Sequence, residues 1–163
     1  MRILKIISDT IVDGPHLRTS IYVSGCKHNC KGCHNPESWD FNAGQERDLE
    51  DIVSEILRID NKYITISGGD PIYSAKDCYK LCKRLKEEKP GINIWIYTGF
   101  TLESLLSSSD NYILGILELI DGLVDGPFIE KLKDKNLMYR GSSNQGIWEK
   151  DKNGNWIKSK LWK

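Results

Sequence analysis

Short apolar, β-branched runs at residues 3–7 and 19–23, bounded by Asp, Gly and Pro, predict two strands around a loop at residues 13–18. From Asp48 the period lengthens. Leu49, Ile52, Val53, Ile56 and Leu57 recur every three or four residues behind Asp48, Glu50 and Asp51, the pattern of an amphipathic helix with acidic groups at its positive end. Residues 63–67 form the next strand and Gly68-Gly69 a tight turn. Cys78, Leu81, Cys82 and Leu85 then mark the inner face of a second helix that Pro90 and Gly91 end. Residues 93–98 alternate like a strand, 101–106 and 112–120 read as helical on either side of a Ser/Asp/Asn interruption, and 123–125 close the series as a short strand. Asn153-Gly154, set among polar and Trp residues, predicts a terminal hairpin over 150–163.

Strand and helix in regular succession imply an α/β fold with a mostly parallel sheet and crossover helices. A closed eight-unit barrel needs about 250 residues, and the chain has 163. The expectation is therefore one domain over residues 1–163, built as an incomplete (βα) barrel or open layer with one side uncovered. The 39% hydrophobic content suffices for a single core. Lys plus Arg number 23 and Asp plus Glu also 23, so no basic field exists to attract nucleic acid. The first residues are broken by Lys5, Ser8 and Asp9 before any signal-peptide core forms, and no run of about 18 apolar residues marks a membrane span. A cytoplasmic protein is expected.

The five cysteines change that bland picture, because three of them fall within eight residues, as Cys26, Cys30 and Cys33 in a C-x3-C-x2-C loop directly after a strand. Such crowding suits metal ligation better than a disulfide framework. Three thiolates can hold a four-iron cluster and leave one iron open to a substrate. A structural zinc site completed by His28 or His34 is the alternative, although zinc usually takes two separated ligand pairs. Cys78 and Cys82 sit on the apolar face of a helix and read as buried small hydrophobes. His16, alone in a loop, carries no assigned role.

Ser67-Gly68-Gly69-Asp70-Pro71 follows a strand at the end where parallel α/β sheets place their ligands. The two glycines would let backbone approach a small molecule, and Asp70 would offer a carboxylate to a cationic group. Gly-Gly-Asp-Pro is equally ordinary turn chemistry.

Taken together, the Cys26, Cys30, Cys33 loop and Gly68-Gly69-Asp70 resemble the radical S-adenosylmethionine superfamily. Further segments resemble, within it, the activating proteins of anaerobic ribonucleoside-triphosphate reductases: Asp13-Gly14-Pro15 with Arg18, Cys33-His34-Asn35-Pro36-Glu37 with Trp39, Tyr97-Thr98-Gly99-Phe100-Thr101, Val124-Asp125-Gly126-Pro127-Phe128, and Arg140-Gly141-Ser142-Ser143-Asn144-Gln145. The resemblance implies an incomplete barrel of the radical type. It also implies a 4Fe-4S cluster on Cys26, Cys30 and Cys33, which carry the catalysis, and S-adenosylmethionine as the second cofactor. The cofactor site would be lined by Gly32, Cys33, His34, Gly68, Gly69, Asp70 and Asp125. The implied partners are the large glycyl-radical subunit of the reductase, as the recipient of a glycyl radical, and a one-electron reductant such as flavodoxin.

Two departures stand out. Gly32 occupies the position before the third cysteine where many superfamily members carry an aromatic residue, so the adenine needs another wall. Asp70 replaces the commoner Glu of the Gly-Gly-Glu turn. The alternatives at this point are an activase of a different glycyl-radical enzyme, a small-molecule synthase of the same superfamily, or a zinc-stabilised binding module.

Overall fold

The computed structural model describes residues 1–162. Strand alternation sets its two faces. In β2 (Arg18–Val23), β4 (Tyr63–Gly68), β5 (Asn93–Tyr97) and β6 (Gly122–Asp125) the parallel register aligns Ile21, Ile66, Ile96 and Leu123 in one row across the sheet. That row faces the main core, where α1 (Leu49–Ile59), α2 (Ala75–Glu88), α3 (Leu102–Leu106) and α4 (Asn111–Leu119) bury their apolar stripes. Trp95 and Val124, one residue out of phase with the row, join Ile147 in a smaller second cluster, with Tyr97 packed against it. The helices thus cover one face, and the other carries the functional side chains described below.

The helix boundaries follow from local chemistry. Asp48 caps α1, its side chain accepting from the Glu50 N–H at 2.8 Å, and Asp60 ends the helix in the left-handed conformation at φ 58°. Cys78 and Cys82 are fully buried on the core face of α2, as the periodicity predicts. Among the described residues no helix is long and apolar enough to cross a membrane.

The expected mostly parallel sheet needs correction. The strand order is β3-β1-β2-β4-β5-β6-β7-β8, an open mixed sheet in which four pairings are antiparallel and three parallel. The reason is that only three connections contain a helix long enough to carry the chain back over the sheet. β1 (Arg2–Thr10) meets β2 through the short loop at residues 11–17, and β3 (Gln45–Glu46), which no sequence pattern announces, pairs with the outer side of β1. After β6 the chain returns without a helix and lays β7 (Gly146–Lys150) antiparallel against it, followed by β8 (Trp156–Lys158). This hairpin therefore extends the sheet and begins at Gly146, before residue 150. Its turn is organised by Asp151, which accepts from the Asn153 and Asn155 N–H groups at 2.8 and 2.9 Å. Lys163, the last residue of the predicted hairpin, lies outside the described residues.

One buried cation ties the β1–β2 loop to the sheet. Arg18 is fully buried; its guanidinium donates to Thr65 Oγ1 at 2.7 Å, the Ile64 carbonyl at 2.6 Å, Asn93 Oδ1 at 3.1 Å and the Pro15 carbonyl at 3.1 Å. It also stacks near Trp95, 5.3 Å from that ring. Burial lowers its pKa to about 10, which leaves it charged at neutral pH. Arg18→Leu keeps the volume but strands the acceptors, and a loss of about 3 kcal/mol or more is expected. Urea unfolding of the metal-free protein measures it, and a loss under about 1 kcal/mol would show that the bonds are replaceable.

Candidate iron–sulfur site

The cysteine loop leaves the end of β2 and is pinned at its base. Gly25 N–H donates to the Ser38 carbonyl at 2.8 Å and Cys26 N–H to the Trp39 carbonyl at 3.2 Å. Asn29 and Gly32 adopt positive φ, 50° and 76°, which winds the short segment so that its three thiols stay on one loop. All three cysteines are free and partly exposed. Burial raises the Cys26 thiol pKa to about 11, opposed by the backbone N–H of His28 and reinforced by Asp70, Cys30 and Cys33. A cationic group such as an iron–sulfur core relieves that cost by accepting the thiolate, so the donor set fits the cluster. Among the described residues no group of three or more His, Cys, Asp or Glu side chains is drawn together around a single point. His28, one of the two histidines weighed for zinc, is turned toward Asp70.

The Gly-Gly-Asp turn lies directly against the loop's base. A Cβ on Gly68, at φ 101°, would meet the Val23 carbonyl oxygen at 2.6 Å, and one on Gly69 would meet that of Gly25 at 2.6 Å. The two glycines are thus explained first by backbone packing on the cysteine loop. Gly69 N–H donates to the Val23 carbonyl at 2.7 Å, Asp70 N–H to that of Gly25 at 2.9 Å, and Ser38 Oγ to that of Gly68 at 3.0 Å. Asp70 is only 2% exposed. Its Oδ1 accepts from the Ile72 N–H, and its Oδ2 from Thr98 Oγ1 and the Gly99 N–H, both at 2.9 Å, with His28 Nε2 at 2.7 Å.

A cavity of about 420 Å³ opens on the face the helices leave bare, and its lining includes Cys33, His34, Asp13, Tyr97, Phe128 and Arg140. That volume lies within the range of small-molecule sites. Asp13 Oδ2 accepts from Ser20 Oγ at 2.7 Å and Tyr22 OH at 2.5 Å. The buried Tyr97 hydroxyl has no hydrogen-bond partner among the described residues, and burial, with Asp13 nearby, raises its pKa well above the usual phenol value. An orphaned buried hydroxyl beside a cavity is open to water or to any polar group that enters it.

Of the residues singled out in the sequence, Cys33 and His34 line the cavity. Gly32 borders it, since a Cβ there would meet Phe128 at 3.3 Å. Gly68, Gly69 and Asp70 stand behind the cysteine loop. Asp125 is placed apart, its Oδ2 accepting from Leu102 N–H at 2.6 Å and its Oδ1 from Gly146 N–H at 3.1 Å, so it joins the start of α3 to β7. Asp13, Tyr97, Phe128 and Arg140 had appeared only inside segments of the resemblance, without a role; their common signal is placement at strand ends or in the loops beyond them, which spacing alone does not reveal.

Fold and site together define an iron–sulfur class: residues 12–148 match the family model of a 4Fe-4S single cluster domain. Among curated relatives, the chain is 42% identical to the anaerobic ribonucleoside-triphosphate reductase-activating protein of Escherichia coli (strain K12), over 84% of this chain and 91% of that protein. It is 36% identical to the protein of the same name from Haemophilus influenzae, over 90% of this chain and 97% of that one, and 32% identical to that of Enterobacteria phage T4, over 84% and 86%. The chain belongs to the family of anaerobic ribonucleoside-triphosphate reductase-activating proteins.

Proposed function

We propose that this chain activates an anaerobic ribonucleoside-triphosphate reductase by placing a glycyl radical on its large subunit, acting as a radical S-adenosylmethionine oxidoreductase. The observation that carries this reading is the loop of three free thiols with its third member, Cys33, facing the cavity beside the orphaned Tyr97 hydroxyl. Cys26, Cys30 and Cys33 would hold the cluster and leave a fourth corner without a protein ligand. A cluster bound there would supply the electron that cleaves S-adenosylmethionine to methionine and the 5′-deoxyadenosyl radical, which takes a hydrogen atom from the partner's glycine.

The chain's own residues have separable tasks. Phe128 fills the space beside Gly32 and lies 5.2 Å from His34, so the pair forms the aromatic wall that the cysteine loop itself lacks. Tyr97 and Arg140 offer polar contacts to a bound nucleoside or to an incoming backbone. Asp13, held by Ser20 and Tyr22, fixes the mouth formed by the β1–β2 loop. Hydrogen transfer needs the donor carbon within about 3 to 3.5 Å of the radical carbon, a distance that a docked loop of the partner satisfies. The reductase is then substrate and cover at once. A one-electron donor such as flavodoxin would supply the reducing equivalent.

With a reduced cluster and S-adenosylmethionine, addition of the reductase is expected to yield 5′-deoxyadenosine, methionine and a glycyl-type spin signal on the larger protein. Replacing the partner's acceptor glycine with Ala should remove the signal while cluster binding survives. Cleavage products formed without any dependence on the partner would instead support a small-molecule synthase.

A further inference from the structure

We infer that His28 is a positioning residue, latching the cysteine loop to Asp70 and so shaping the loop before any cluster is present. It sits midway between Cys26 and Cys30, and its two ends reach opposite ways. The backbone N–H acts on the Cys26 sulfur and favours the thiolate. The ring reaches back to Asp70 Oδ2 at 2.7 Å. That oxygen already accepts from the Thr98 hydroxyl and the Gly99 N–H, so the role left to Nε2 is a third donor.

The slot around the ring is built for it. Phe100 meets it edge-on at 4.7 Å between ring centres and Tyr73 at 5.3 Å. Gly99 leaves the ring its space, because a Cβ there would meet His28 Cδ2 at 2.5 Å. Asp70 in turn is fixed by the Ile72 N–H and by its own N–H on the Gly25 carbonyl. The latch therefore joins three segments: the cysteine loop, the glycine turn after β4 and the end of β5. A carboxylate one methylene longer would carry its oxygen past the Thr98 and Gly99 donors, which gives the short Asp70 side chain a structural reason.

The inference takes from the proposed function only the identity of the cluster ligands, and its test needs neither cluster, cofactor nor reductase. Metal-free, reduced protein is alkylated with iodoacetamide, and labelling at each cysteine is followed by mass spectrometry. Cys78 and Cys82, fully buried in α2, report global opening. His28→Leu and Asp70→Ala should each raise labelling of Cys30 and Cys33 roughly tenfold, the loss of a hydrogen bond to a charged group; Cys26 is left out of the comparison because the same loosening withdraws the N–H that favours its thiolate. The double variant should label no faster than the faster single, because both remove one interaction. His28→Gln retains a donor and should restore slow labelling, and this comparison stands even if Asp70→Ala fails to fold. Equal rates for His28→Gln and His28→Leu, unchanged rates in His28→Leu, or a further full tenfold in the double variant would overturn the latch.

Discussion

Cys26→Ala, Cys30→Ala and Cys33→Ala are each expected to abolish cluster binding and activity together, whereas Cys78→Ala and Cys82→Ala retain both. A site with three thiolates has no spare ligand, and losing one leaves two irons without protein coordination. The remaining cysteines offer no rescue: both are fully buried on α2, and the Cys78 thiol is held protonated by its hydrogen bond to Cys82 and by burial. Iron and sulfide analysis with visible absorption after anaerobic reconstitution separates the two groups. If a Cys78 or Cys82 variant folds and loses iron, the ligand assignment is wrong. If a Cys30 variant keeps a full complement of iron, a ligand outside the loop must be supplied.

The second large effect belongs to Gly68. At φ 101° its backbone conformation is rarely adopted by L side chains, and the added carbon of Gly68→Ala would lie 2.6 Å from a carbonyl oxygen of β2. Strain of about 1–3 kcal/mol from the dihedral alone adds to the displacement of β4's end from β2. The expected outcome is a protein that unfolds at lower urea and recovers less iron on reconstitution, because the turn is the surface on which the cysteine loop rests. Gly91→Ala provides the control: it too has positive φ, 87°, but a Cβ there meets nothing within 4 Å, so only the dihedral strain applies. Equal losses in the two variants would mean that the contact with β2 contributes nothing.

Much of the fold could be read from periodicity because the strands and helices that build the core alternate cleanly. The isoleucine row of β2, β4 and β5 and the α1 stripe opening at Asp48 are local signals, and the cap at Asp48 is where acidic composition placed it. What escaped was pairing direction. Nothing in residues 146–150 distinguishes a strand that pairs antiparallel with β6 from one that follows a crossover, since that depends on the length and path of the chain between. At the site the cysteine spacing marked the loop that carries the three free thiols, but the partners of Asp70 were not readable: His28 lies 42 residues away and Thr98 28 residues away. Asp125, which only the resemblance had brought forward, has partners that are equally distant in sequence: its carboxylate accepts from the Leu102 N–H at the start of α3 and from the Gly146 N–H of β7.

The division of the sheet into a parallel centre and antiparallel flanks also bears on how such chains can diverge. The cysteine loop, the glycine turn and Tyr97 all stand at the ends of central strands, where each added or removed residue shifts a side chain against its neighbours. The outermost hairpin turns at Asp151–Asn155, far along the chain from every one of them and bonded chiefly to itself. Length should therefore drift at that tip while the centre keeps its register, so that insertions accumulate at the margin of the sheet and the chemistry stays fixed at its middle.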